Sequence, residues 1–238
     1  MKINKVFWLG IFFFAIYIAC RTWIVLWLPV LDQETFFRRD LSLTCAWILL
    51  FISILFLARK KWSFLELGFN KGQLLLPVTV GFLMLASAVL RLSPPVLDRT
   101  STLFFICHLG AILFNSVGEE ISFRGFIYNC LREIRSRDWA EYAGSFLFML
   151  MHISFQPFSS LPAIFVQGLI LSKLRTKGVS LTALILIHGL NNFLFFAFES
   201  TGSDFHSPYS IIGLILLLVA LGTVNFWKRS EGQELLRG

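Results

Sequence analysis

Charge is the scarcest commodity in this sequence. Only 15% of its 238 residues are Asp, Glu, Lys or Arg, where a soluble domain carries about 25%. Cysteine is sparse as well, with four residues and no CxxC or Cys/His pattern at metal spacing, so a disulfide scaffold and a zinc-finger domain are both excluded. Seven prolines and sixteen glycines without a period exclude collagen-like and Pro/Gly-rich disordered chains. No run interleaves basic and aromatic residues, so nothing suggests a nucleic-acid partner. What is present in excess is apolar: 56% of the residues are hydrophobic and mean hydropathy is +0.74.

A spanning helix uses roughly 20 apolar residues, so eight spans would take about 160 residues and leave no room for a sizeable soluble domain. Apolar segments lie near 6–28, 41–58, 73–92, 101–131, 139–157, 160–173, 179–198 and 208–227. They are continuously apolar and do not alternate, which argues for helices over a membrane barrel. The expectation is an all-α polytopic membrane protein: one integral domain over 1–238, about eight transmembrane helices and an intramembrane catalytic cavity. The first segment resembles a signal peptide behind Lys2 and Lys5, but runs on to Leu31 with one interruption at Arg21, and no small-x-small site follows. It is expected to be the first span, retained. The four cysteines, Cys20, Cys45, Cys107 and Cys130, are expected to be buried thiols.

The net charge of +7 has its explanation in the loops. With the N-terminus inside and eight spans, Arg59–Lys61, Lys71, Arg132, Arg135, Arg137, Lys173, Arg175, Lys177, Lys228 and Arg229 all fall on one side. The other side holds Arg38, Arg39, Arg91 and Arg99, partly offset by Asp32, Glu34, Asp40 and Asp98. This is the positive-inside pattern, with both termini cytoplasmic. Seven spans would put a tri-basic loop outside.

Against this background the polar residues inside apolar segments are conspicuous, because an ionisable group there costs roughly 2.5–3.5 kcal/mol on insertion scales. Glu119, Glu120 and Arg124 lie within the fourth segment. Glu120 and Arg124 are spaced i,i+4 and share a helix face, while Glu119 is rotated by about 100°. A desolvated carboxylate of this kind suits a general base. Phe148 and His152 are one turn apart in the fifth segment, and His188 and Asn192 one turn apart in the seventh. At about 1.5 Å per residue, Glu119, His152 and His188 all lie roughly 15–20 Å from the basic border. Three helices therefore bring polar groups to one level. His108 is about 16 Å from Glu119 along the axis and is read as structural. His206 is placed in an outer loop.

The ordered set Glu119-Glu120-x-x-x-Arg124, Phe148-x-x-x-His152 and His188-x-x-x-Asn192 resembles the CAAX protease and bacteriocin-processing family of glutamic intramembrane proteases, which includes the type II CAAX prenyl endopeptidase. The resemblance covers about 101–195, the expected catalytic core. It implies an intramembrane endopeptidase that cleaves near a membrane-anchored or lipidated segment, with the bilayer and a membrane-embedded substrate as partners. It also implies roles. Glu119 activates water, His152 orients it, His188 and Asn192 hold the oxyanion, and Glu120, Arg124 and Phe148 support them. No cofactor is expected. Two other readings stay open. Glu119, His152 and His188 could form a His₂Glu zinc set, although the usual His-Glu-x-x-His pattern is absent. Intramembrane Glu, Arg and His also mark proton-coupled transporters, although no inverted repeat is visible. Short loops and the lack of targeting appendages point to a prokaryotic cell membrane.

Overall fold

The computed structural model describes residues 3–27, 33–89, 110, 114–153, 156, 158–197 and 208–227. Among them all regular secondary structure is helical, with no strand. Helix α1 spans Ile3–Trp27 and α2 Gln33–Arg59. A single turn, α3 (Phe64–Leu67), precedes α4 (Leu75–Val89). Helix α5 runs over 114–134, α6 over Arg137–Met151, α7 over Leu161–Thr176, α8 over Leu181–Ala197 and α9 over Pro208–Phe226. Each of the eight apolar segments thus contains one long helix, the fourth over its described part.

Two apolar cores flank α5. The first joins α1, α2, α5 and α6 through Phe14, Tyr17, Trp47, Ile54, Phe123, Phe126 and Phe148. The second joins α4, α7, α8 and α9 through Leu76, Met84, Ile170, Leu174, Leu184 and Val224, and takes in Ile121 of α5. A relay of rings crosses the first core: Phe14 to Phe123 at 5.2 Å between centroids, then Phe123 edge-on to Phe148 at 5.2 Å. Helix α5 is therefore the shared wall of both cores, and its interior-facing side chains lie at the centre of the molecule.

Close approaches explain two glycines. A Cβ on Gly118 would sit 2.5 Å from the Trp47 indole nitrogen, which donates to the Asn115 carbonyl at 3.0 Å. A Cβ on Gly168 would sit 3.2 Å from the Phe148 ring and 3.4 Å from Ser145, so glycine lets α7 lie against α6. At the basic end, Ser63 caps α3 in a capping box with Glu66. The Ser63 backbone N–H, and then its hydroxyl, hold the Glu66 carboxyl below its usual range. The Glu66 carbonyl accepts from Asn129 and Arg175, which ties α3 to α5 and α7.

Among the described residues, by length and composition, one helix over Lys5–Ile24 can cross a bilayer on its own; Cys45–Arg59, Leu75–Val89, Leu181–Leu194 and Ile211–Phe226 are shorter apolar helices. The expectation about cysteines needs correction. Cys130 is buried, but Cys20 and Cys45 are exposed, because they lie on outward faces of α1 and α2, where an apolar residue needs no protein neighbour if lipid covers it. Cys107, His108, His206 and the 199–207 loop lie outside the described residues.

Candidate active site

Helix α5 is not a plain α-helix where it carries the charged motif. It changes to π geometry over Ile121–Ile127 and returns to α over Tyr128–Ile134. Such π stretches close i→i+5 bonds and concentrate at functional sites. The widened turn keeps Glu120 and Arg124 on one face, as the i,i+4 spacing anticipated. It also buries every residue from Ile121 to Ile127.

Glu120 is fully buried and acts as the hub. Its Oε1 accepts from Arg124 Nη1 at 2.9 Å and from His188 Nδ1 at 2.7 Å. The Arg124 guanidinium, 1% exposed, sends Nη2 to the Gly168 carbonyl at 3.0 Å and stacks over the Phe148 ring, 4.5 Å from its centroid. A buried charge pair is tolerable when further hydrogen bonds satisfy both partners, and His188 and Gly168 supply them here. With its Nδ1 proton directed at Glu120, His188 presents Nε2 to Glu119, 3.5 Å from Oε2. The imidazole thus bridges two adjacent carboxylates that lie nearly 70 residues away in sequence.

The other candidates are placed less centrally. The His152 Nδ1 donates to the Phe148 carbonyl at 2.8 Å, and its ring packs against the Phe148 ring at 4.6 Å. Since that carbonyl can only accept, His152 also directs Nε2 away from its own helix. The Phe148 ring lies 5.8 Å from the His188 ring as well, so one phenyl spaces both histidines and the guanidinium. His152 is not in mid-helix as the apolar segment suggested. It caps α6, which ends at Met151, in keeping with the approach to Pro157. On α8 the side chains of His188 and Asn192 take separate partners. The Asn192 amide donates to Ser116 Oγ at 3.3 Å, while Asn191 is the buried neighbour, 3% exposed.

Sequence reasoning missed three contributors. Gly168 serves through its backbone carbonyl, Ser116 meets Asn192, and the π geometry has no composition signature. Only Gly168 left a trace, as an isolated glycine inside an apolar helix. For a zinc ion, the relevant observation is the donor set. Among the described residues no group of three His, Cys, Asp or Glu side chains is arranged to hold a metal ion, and His188 Nδ1 is already bonded to Glu120.

Comparison with known proteins finds similarity to a family of CAAX-type proteases, peptide hydrolases of membranes. Residues 100–194 match the family described as Type II CAAX prenyl endopeptidase Rce1-like, and this segment holds all seven candidate residues. Comparison with curated proteins gives no match.

The hub predicts the cost of breaking it. Glu120→Gln leaves Arg124 without its counter-charge in a dry site, which should cost about 3–5 kcal/mol. A lower melting temperature in detergent, or failure of the variant to accumulate, is the expected outcome. A melting temperature equal to that of the parent protein would contradict a structural role for the pair.

Proposed function

We propose that this protein hydrolyses a peptide bond close to the lipid-anchored, prenylated end of a membrane-bound protein substrate, with a water activated by Glu119. The observation that carries this reading is the His188 bridge, which sets Glu119 beside a proton-accepting nitrogen and against a pre-neutralised Glu120–Arg124 pair. In this reading, the water oxygen attacks the scissile carbonyl and its proton passes to Glu119, with His152 Nε2 orienting it. The tetrahedral oxyanion is held by the Asn192 amide and by His188. Because His188 Nδ1–H is committed to Glu120, Nε2 donates only after it has received a proton, and Glu119 is the group positioned to supply it. Collapse of the intermediate breaks the C–N bond, and that proton leaves with the amine. Preorganised donors of this type contribute about 10²–10³ each in rate.

The same reading places eight helices across a prokaryotic cell membrane with both termini in the cytoplasm, the basic loops inside, and the cavity below the cytoplasmic surface. A cysteine at Ser203, in the 199–207 loop, should then be labelled by an impermeant thiol reagent from the outer face of intact cells, after Cys20 and Cys45 are replaced. Labelling only after the cells are opened would overturn the topology.

The catalytic assignment has its own test. Glu119→Gln keeps the shape of the side chain but cannot take a proton, so hydrolysis of a prenylated peptide should fall by at least about 10³-fold with little change in melting temperature. Parent activity should persist in a chelator of divalent metals. Full activity of the variant excludes Glu119 as the base, and loss of parent activity on chelation, restored by zinc, would favour the His₂Glu metal reading.

Asn192 and Asn191 separate turnover from folding. Asn192→Ala should lose about 10²-fold or more in kcat with KM nearly unchanged, as expected for a contact made in the transition state. Asn191→Ala, at the buried position, should lower the melting temperature and keep most of the turnover per folded molecule. The reverse pattern would remove Asn192 from the oxyanion site.

A further inference from the structure

A polar cavity lies far along the helices from the candidate catalytic residues. It opens where the start of α6 meets the ends of α7 and α9, and holds about 310 Å³. That is at the small end of the range for ligand sites, about 300–1,000 Å³. Its walls carry Arg137, Lys173 and Lys177 against Asp138 and Glu141.

These charges are not equivalent. Glu141 is buried and already paired with Lys173 Nζ at 3.0 Å. Lys177 Nζ donates to the Trp227 carbonyl at 2.7 Å, which fixes an ammonium at the rim and closes the end of α9. Arg137 begins α6, where unpaired backbone N–H groups add positive potential, and Asp138 answers part of it. Three cations against two carboxylates leave one net positive charge. Thr176 and Asn225 supply neutral polar groups to the same walls.

We propose that this cavity binds the phosphodiester head group of an anionic membrane lipid. A single excess charge suits a monoanionic phosphodiester better than a phosphomonoester of higher charge. Basic pockets between spanning helices on the cytoplasmic side hold anionic head groups by this means. A lipid is favoured over free phosphate by what adjoins the cavity. Tyr142, Phe146 and Leu150 form an exposed apolar stripe that follows α6 away from Asp138, at the i,i+4 spacing of one helix face. Phe226, 89% exposed, flanks Asn225 on α9. A head group in the cavity would lay its acyl chains along these side chains. The proposal rests on the membrane-spanning arrangement given above but makes no use of the peptidase reading.

The test is made on the full chain, stripped of lipid in neutral detergent. It is titrated with phosphatidylglycerol, phosphatidylcholine or inorganic phosphate, and occupancy is read by native mass spectrometry. Phosphatidylglycerol should be retained at least about fivefold more tightly than zwitterionic phosphatidylcholine, since each cation near the surface contributes about that factor. Arg137→Gln should weaken its retention about fivefold. Asn225→Asp, an exposed change that adds an opposing charge and leaves the core untouched, should do the same. Equal retention of the two lipids, or undiminished retention of phosphatidylglycerol in the variants, overturns the proposal. So does inorganic phosphate bound as tightly as the lipid. Peptide hydrolysis is not read in this experiment, so its outcome stands apart from that of the catalytic assignment.

Discussion

One carboxylate oxygen holds the centre of this molecule together. Glu120 Oε1 takes hydrogen bonds from Arg124 and from His188, and so joins α5 to α8, while the other end of the guanidinium reaches the α7 backbone at Gly168. In a soluble core, replacing such a pair by apolar residues of equal volume is often neutral or stabilising. Here the pair does something an apolar replacement cannot. It orients an imidazole between two carboxylates and leaves Glu119 facing Nε2. The stability of the site and the orientation of the His188 ring thus come from the same contact.

The surrounding helices are arranged so that this contact stays dry and rigid. Phe148 stands against Phe123, His152, His188 and the Arg124 guanidinium, and it can do so only because Gly168 leaves room on α7. The π segment then matters mechanically. An inserted residue between Glu120 and the α-helical end of α5 shifts the register of everything beyond it. Asn129 and Tyr128 can therefore meet Glu66 and Thr176 without rotating Glu119 and Glu120 away from the centre.

Much of this was legible in the sequence. The continuity of the apolar segments gave the helices, and the cost of charge in such segments marked Glu119, Glu120 and Arg124. The i,i+4 spacing of Glu120 and Arg124 anticipated their ion pair. What spacing could not give is contact between segments. That His188 would bond Glu120, and that Asn192 would turn to Ser116, depends on how α8 is rotated against α5. Shared position on one face of α8 said only that both side chains point the same way. The end of α6 at Met151 was missed for a related reason: Ile153 and Phe155 continue the apolar pattern beyond the point where the helix stops, so hydropathy alone overruns the cap. The thiols were misjudged because apolarity signals burial in water, whereas Cys20 and Cys45 lie on outward helix faces.

The division of the two glutamates follows from geometry that neighbouring residues share by default. Adjacent positions on a helix point about 100° apart, so Glu119 and Glu120 cannot both face Arg124. One is neutralised by the cation and becomes an anchor. The other, 9% exposed where its neighbour is fully buried, is left with an imidazole nitrogen beside it. A carboxylate pair in sequence therefore yields two chemically different groups without any difference in residue type, because a single arginine four residues on selects between them. Exchanging that arginine for a neutral residue would remove the distinction, and with it the physical reason for the two carboxylates to differ.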